Sequence, residues 1–492
     1  MTPPSSERPI LVWPDVVLDL QDLLADVSIP VYIVGGAVRD AFLRRPIKDV
    51  DMATPDSGIK LGRIIANRLG GDFFPLDAER DVGRALVDTP DGRLVFDVAS
   101  LRGPDLDADL FDRDFTINAM AVDLHGDLNE LIDPTGGVSD AIAKRIRRCS
   151  PASLADDPIR ALRAVRQSVQ FGMRIDPATL ADVRAVTPRL AEISAERVRD
   201  EVFKLLALPR PVMALRVANT VGLLDVTLPE VVPLRGRKHT PQDADDLWGY
   251  TLAVIERLTD ILATLSPNRS DTSTAQFSMG MLAIALDRFR SGLRAQLAVE
   301  WPDERSHRAV LLFAALLHHP VIGADQAVAR AAALHLSNGE KDRVGAVARH
   351  AGDFAALQDL DELTPLTIHR FWRATGAAGV DVILLGLAGY LATVGLAFTQ
   401  DAWLATLERA QTLLAAYFDA YDRLIEPPPL LRGTDLIETL NLKPGPIIGE
   451  LIDLIREGQA VGTVETVADA LALARAHLSG QRDERNSHHR SE

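Results

Sequence analysis

One cysteine, Cys149, stands in a chain of 492 residues. It has no internal partner, so no intrachain disulfide can support the fold, and a reducing, cytoplasmic setting is expected. Positive charge is short as well: the formal net charge is −16, which excludes a protein that coats nucleic acid indiscriminately. Aromatic residues make up only 5% of the chain. No apolar window approaches the ~18 uninterrupted residues of a membrane span. The opening "MTPPSSERPILVWPDVVLDL" has no basic stretch followed by an apolar run, so neither a membrane partner nor a signal peptide is expected. No fixed-period repeat is present. What remains is ordinary for a globular protein, 47% hydrophobic and 25% charged, with length for two to four domains and several buried cores.

The first part of the chain mixes strands and helices. "VYIV" (31–34) reads as a short strand running into Gly35 and Gly36, with a helical pattern from Ala37. "IKDVDMAT" (47–54) reads as a strand with Asp49 and Asp51 on one face and Val50 and Met52 on the other. "RLVFDVAS" (93–100) reads as a third strand, with Asp97 opposite Leu94, Phe96 and Val98. "TINAMAVDL" (116–124) and "GDLNELIDP" (126–134) suggest two strands joined by a Gly-Asp turn. From about Ala141 the apolar spacing is helical throughout. "SPNRSDTSTAQFS" (266–278) is a polar loop, "IEPPPLLRG" (425–433) is the clearest linker, and the last residues lack apolar anchors and are expected to be disordered. A local basic track (Lys144, Arg145, Arg147, Arg148, Arg160, Arg163, Arg166, Arg174) departs from the acidic background. It is either a nucleic-acid contact or a solvated helix face.

Two carboxylates on one strand face sit roughly 6.5–7 Å apart and repel unless a cation lies between them. That suits hard cations with oxygen ligands, above all Mg²⁺, which can activate a hydroxyl and hold a triphosphate leaving group. Asp97 is a candidate third carboxylate. Gly35 and Gly36, between strand and helix, allow close approach of a phosphate, and Arg39 adds a charged donor. Each feature alone also has a bland reading: Asp-x-Asp is common on exposed strands, and a strand–Gly-Gly–helix turn is a weak signal.

In order along the chain, "GGAVRD" and "KDVDMAT", "DLFDRDFTINAMA" (109–121), "DDPIRALRAVR" (156–166) and "ERVRDEVFKLL" (196–206) resemble the class II tRNA nucleotidyltransferase/poly(A) polymerase family. The likeness is strongest over 35–207. More faintly, "TPLTIHRFWRATG" and "LRGTDLIETLNLKPGPIIGELI" are similar to the body and tail of bacterial members. The resemblance implies an α/β nucleotidyltransferase head of the DNA polymerase β type, with a mixed sheet, followed by an all-α neck, body and tail. The expected limits are an N-terminal segment 1–26, head 27–142, neck 143–207, body 208–425, tail 426–480 and a disordered end 481–492. It implies addition of CMP and AMP from CTP and ATP to the 3′ end of tRNA, without a template. By position, Asp49 and Asp51 would hold the catalytic Mg²⁺, with Gly35, Gly36 and Arg39 against the nucleotide. Arg113, Asp114 and Asn118 belong to the motif that orients the nucleotide. Asp157 and Arg160 would read the base edge, and Arg163 and Arg166 would approach the triphosphate.

Asp157 and Arg160 make chemical sense as base readers. Spaced by three, they are neighbours on a helix face. An acid accepts from the amino group shared by C and A, and an arginine donates to ring acceptors. The rival is structural: Asp157 precedes Pro158, as an N-cap followed by proline at N1.

The chain also departs from the family. Asp112 stands where a second arginine is usual, Asp156 replaces Glu, and Gln167 replaces Phe. The connection from Asp97 to Asp109 is short, whereas many CCA-adding members carry a long flexible loop there that is linked with the switch to A addition. Full CCA addition is the reading taken; a CC-adding or A-adding member of a split pair and a poly(A) polymerase are alternatives, and a non-catalytic RNA-binding protein is the alternative of another class. "DDLWGYTLAVIERL" (245–258) and "LLFAALLHHPVIG" (311–323) resemble a His-Asp phosphohydrolase domain, but Tyr250 and His319 replace metal ligands and only His318 remains. That half reads as a helical tRNA-binding body making phosphate and shape contacts. Nothing in the sequence sets an oligomeric state.

Overall fold

Among the described residues the main sheet ends at residue 123, and the helices that follow are interrupted by a short parallel strand pair, Arg145–Ile146 with Arg174–Ile175, and one further two-residue pair. The computed structural model describes residues 10–90, 92–238, 246–266 and 277–488. It divides into two compact units, one of residues 1–202 with 213–227 and one of 203–212 with 228–492. Most of the expected loop 266–278, and Asp245 at the start of "DDLWGY", lie outside the described residues.

The first unit is built on a six-stranded sheet ordered β3-β4-β5-β2-β1-β6. The strands are β1 (Tyr32–Val34), β2 (Asp49–Thr54), β3 (Asp72–Asp77), β4 (Val82–Thr89), β5 (Gly92–Ser100) and β6 (Ala121–Asp123). β2 and β5 are parallel and every other pair is antiparallel, which makes the sheet mixed. Alternation decides which face is core: Val50, Met52, Phe96 and Val98 are buried, while Asp49, Asp51 and Asp97 lie on the opposite side. The buried face is covered by α1 (Asp15–Leu23), α2 (Gly36–Phe42) and α3 (Gly58–Leu69), which contribute Leu20, Val38, Leu61 and Ile65 to one apolar cluster.

The hairpin expected over 116–134 does not form. Thr116–Asn118 is a 3₁₀ turn, only Ala121–Asp123 is a strand, and a single bridge joins Ala121 to Ile132. Asn118 and Thr116 are drawn into side-chain bonds, and those bonds bend the backbone out of extended form. β3 and β4 were not expected: in β3, Pro75 and the exposed Phe74 and Leu76 break the usual strand pattern, whereas β4 alternates regularly and was legible.

After the sheet come α4 (Leu106–Phe111), α5 (Gly137–Ile142), α6 (Ser153–Asp156), α7 (Arg160–Phe171), α8 (Pro177–Val186) and α9 (Ala195–Leu206). α7 buries Ala161, Leu162, Ala164, Val165 and Ser168 on one face and ends at Gly172, whose φ of 63° suits glycine. Within the basic track Lys144 and Arg174 are exposed, whereas most of the arginines are paired. Arg145 and Arg147 both bond the fully buried Asp140, Arg148 pairs with Asp182, and Arg160, Arg163 and Arg166 turn inward.

Among its described residues the second unit is helical apart from a two-residue strand pair. By length and composition, Pro365–Val394 could cross a membrane. It is interrupted by a 3₁₀ turn at Gly376–Ala378, and Asp381 within it is buried against His307 (2.9 Å) and Arg343 (2.9 Å). After the proline segment, Gly433–Leu440, Pro446–Val461 and Val467–His488 form three helices around Leu436, Leu451, Ile455 and Ala470. The final helix therefore runs through residues 481–488, which were expected to be disordered; the alanines and arginines upstream favour helix and carry it onward. Residues 489–492 lie outside the described part.

Candidate active site

β1 ends at Val34 and the chain turns sharply at Gly35, whose φ of 75° is open to glycine and strained for other residues. Space sets the same demand, since a Cβ there would lie 2.7 Å from Arg113 Nη1 and 3.4 Å from Asp51 Oδ2. Gly36 is different: it is helical, and a Cβ would come no nearer than 3.5 Å to Arg39 Nη2. Beyond this turn opens a cavity of about 350 Å³. Gly35, Gly36, Arg39, Asp51, Arg113, Asp114, Asn118, Asp157, Arg160 and Arg163 line it, joined by Arg102 and Arg197.

The carboxylates converge from two strands. Asp51 pairs in register with Asp97 across the parallel β2–β5 ladder, and Asp49 lies two residues before Asp51 on the same face. Burial raises the Asp51 carboxyl pKa above its ordinary value, and the charges of Asp97 and Asp49 add to this. Arg113 and Arg39 act in the opposite sense. Asp97 is gripped by Arg84 through two bonds of 2.7 Å. Among the described residues no group of three or more metal-ligating side chains comes together. The all-oxygen pair Asp49 and Asp51 fits a hard divalent cation whose remaining ligands come from phosphates and water, whereas Asp97 is engaged elsewhere.

The arginines are held in place by neighbours. Arg39 donates from Nη1 to Asn118 Oδ1 (2.5 Å) and through Nε and Nη2 to Asp40 (3.0 and 2.8 Å), with its guanidinium 4.3 Å from the centre of the Phe171 ring. Arg113 donates twice to the buried Asp109 (3.1 and 2.9 Å). Asp114 accepts from the Phe115 N–H (2.8 Å), Asn118 Nδ2 (2.8 Å) and Arg163 Nε (2.8 Å). Burial alone would raise its pKa, but the Arg163 charge and these bonds overrule that and hold it at about 2. Gln167, which takes the place of the family's Phe, is buried and accepts from Asn118 Nδ2 at 3.0 Å, so the replacement enters the network. Arg166 does not line the cavity; it donates to Glu201 (2.8 Å) and Gln170 (2.9 Å).

Asp157 is not the N-cap of α7; it is the C-cap residue of α6. α7 begins at Arg160, its N-cap position is Ile159, and no side chain caps it. The Asp157 carboxylate instead accepts from Arg197 Nη2 at 2.7 Å. Arg160 donates to the carbonyls of Asp112 (2.8 Å), Ser153 (3.0 Å) and Arg113 (3.3 Å). The sequence reading assigned no role to Arg102, Arg197 or Glu201. For the last two a signal existed: Arg197 and Glu201, four apart in "ERVRDEVFKLL", share one helix face.

In the second unit, Tyr250, His318 and His319 line one cavity of about 600 Å³. His318 Nδ1 bonds the Ala315 carbonyl (2.6 Å), and His319 Nδ1 accepts from the Val321 N–H (3.1 Å).

Comparison with known proteins bears on the family and the fold. Residues 31–147 match the family model of the poly A polymerase head domain, and residues 172–234 match the probable RNA and SrmB-binding site of polymerase A. The first unit is thus a polymerase β-type nucleotidyltransferase head with its helical extension. The CC-adding tRNA nucleotidyltransferase of Geobacter sulfurreducens is 32% identical over 89% of this chain and 90% of its own. The A-adding enzyme of Deinococcus radiodurans is 30% identical over 90% and 94%. Among solved structures, a CCA-adding enzyme in complex with ATP has a TM-score of 0.62 at 19% identity, covering 95% of this chain and 96% of its own. The Thermotoga maritima CCA-adding enzyme complexed with tRNA has a TM-score of 0.55 at 19% identity, covering 96% and 97%. The chain belongs to the tRNA nucleotidyltransferase/poly(A) polymerase family.

Proposed function

We propose that this protein extends the 3′ end of tRNA with CTP and stops after two cytidines. The observation that carries the stop is the connection after β5. Only residues 101–105 join Ser100 to α4, and the Arg102 N–H donates to Asp109 at 3.1 Å. A tether this short contains no counterpart of the long flexible loop that many full CCA-adding members carry there and that is linked with the switch to A addition. The relatives in Geobacter sulfurreducens and Synechocystis, matched over about nine tenths of this chain, carry the name CC-adding.

In this reading Asp49 and Asp51 hold the divalent metal, Mg²⁺ by donor chemistry. When bound, that ion supplies charge neutralisation of the triphosphate and acidifies the attacking 3′-hydroxyl. Arg39 and Arg113, already fixed by Asn118, Asp40 and Asp109, bind phosphate without reorganising. Gly35 lets the nucleotide approach the backbone. Asp157 accepts from the cytosine amino group while Arg160 donates to its ring acceptors; uracil presents the reverse pattern. tRNA ending before CCA, incubated with CTP, ATP or both, tests the reading. Growth by two nucleotides with CTP, and none further with ATP, is expected. Growth by three with both nucleotides would make this a full CCA-adding enzyme, and no incorporation at all would overturn the assignment. Asp51→Ala, which removes metal ligation, should fall on the order of a thousandfold in rate while still binding tRNA.

A further inference from the structure

Arg197, on α9, and Arg160, at the start of α7, compete for one carboxylate. Arg197 Nη2 lies 2.7 Å from Asp157 Oδ2, and Arg160 Nε lies 4.0 Å from the same oxygen. The two arginines are anchored unequally. Arg160 is 12% exposed, and both its terminal nitrogens are tied to backbone carbonyls. Arg197 is 52% exposed. Asp157 is the C-cap residue of α6, with φ −142° and ψ 93°, and its side chain caps neither α6 nor α7. Its backbone is fixed at the end of α6, where its carbonyl accepts from the Arg160 N–H (3.0 Å), and only the direction of its carboxylate is left to the arginine it meets.

We infer that Arg197 is a specificity-positioning residue: it draws the Asp157 carboxylate away from Arg160, so that acceptor and donor face the incoming base separately. The inference rests on the base-reading role proposed for Asp157 and Arg160. With Arg197 bound to Oδ2, the other oxygen, Oδ1, is oriented for an exocyclic amino group. Without Arg197, the carboxylate is drawn to the nearest cation, Arg160. A closed Asp157–Arg160 pair satisfies itself, and a cytosine must then break a charge-assisted hydrogen bond before it can be read. Uracil gains nothing from the open arrangement and so loses little when it closes. Selectivity falls because the correct base is handicapped, while the chemistry at Asp49 and Asp51 is untouched.

The test is Arg197→Met, which keeps the apolar stem and removes the charge, with Arg197→Gln as a second variant should the first fold poorly. The ratio of kcat/KM for CTP to that for UTP should fall about tenfold, the worth of one hydrogen bond at a desolvated site. The loss should appear as a raised KM for CTP at nearly constant kcat, with tRNA affinity and Tm unchanged. Arg197→Lys should restore part of the ratio. In an Asp157→Asn background, Arg197→Met should have no further effect, because there is no charge left to position. Unchanged selectivity, an equal loss in both backgrounds, or a loss of tRNA affinity alone would each overturn the inference. If Asp157→Asn and Arg160→Ala change selectivity and Arg197→Met does not, only the positioning role falls. If none of the three changes it, base reading itself falls.

Discussion

Replacing Asp114 with asparagine removes one charge and almost no volume from the centre of the site's polar network. Oδ1 of Asp114 accepts from the Phe115 N–H and Asn118, and an asparagine oxygen can do the same. Oδ2 faces Arg163 at 2.8 Å and Gln167 Nε2 at 3.5 Å, where an amide would present a donor to donors. Arg163 would keep only Glu201, at 3.4 Å. The depression of the carboxyl pKa from 3.8 to about 2 corresponds to about 2–3 kcal/mol favouring the ionised form in the fold. Removing one partner of a buried pair costs about 3–5 kcal/mol. The expected loss is therefore about 2–4 kcal/mol. Because the folded pKa lies below the unfolded one, this stabilisation is complete above pH 3.8 and is lost as the pH falls through about 2. Between pH 5 and 8 the gap between wild type and mutant should thus be constant. Urea unfolding across that range reads the gap, and hydrogen exchange should locate it in peptides covering 110–120 and 160–170. Since Asn118 also holds Arg39, the KM for CTP should rise in the same mutant. A gap below about 0.5 kcal/mol, or one that varies between pH 5 and 8, would refute the reasoning.

Gly35→Ala should lose CMP incorporation on the order of a hundredfold or more, because both the positive φ and the Arg113 contact oppose a side chain, whereas Gly36→Ala should stay within a few-fold of wild type; equal effects at the two positions would show that the turn geometry is not what matters. Cys149 is pushed up to about 12, by burial first and then by the Asp114 charge. At pH 8 iodoacetamide should therefore label the native protein on the order of a thousandfold more slowly than the urea-unfolded chain, and comparable rates would contradict that environment.

Where periodicity and motif were strong, the sequence was sufficient. The alternation of Val50 and Met52 with Asp49 and Asp51 dictates a strand with one apolar face, since a one-residue slip would bury both acids. The helical spacing after Ala141 and the prolines at 427–429 likewise mark the helices and the linker, for reasons local to the backbone. Residues 116–134 defeated the same approach. Thr116 and Asn118 answer to Asp140, Asp114 and Gln167, partners up to 49 residues away in sequence, and no local pattern reports them.

The arginines draw the same line inside the site. Their presence was legible in the motifs, but their direction was not. A guanidinium at the end of a flexible stem goes to whichever carboxylate or carbonyl the fold places within reach. Tertiary structure alone turned Arg166 to Glu201 and Arg84 to Asp97, and set the Asp157 carboxylate against Arg197 rather than at the start of α7. Backbone pattern is determined by neighbours in sequence. The ends of long charged side chains are determined by neighbours in space, and those exist only once the sheet and the helices beyond it have packed.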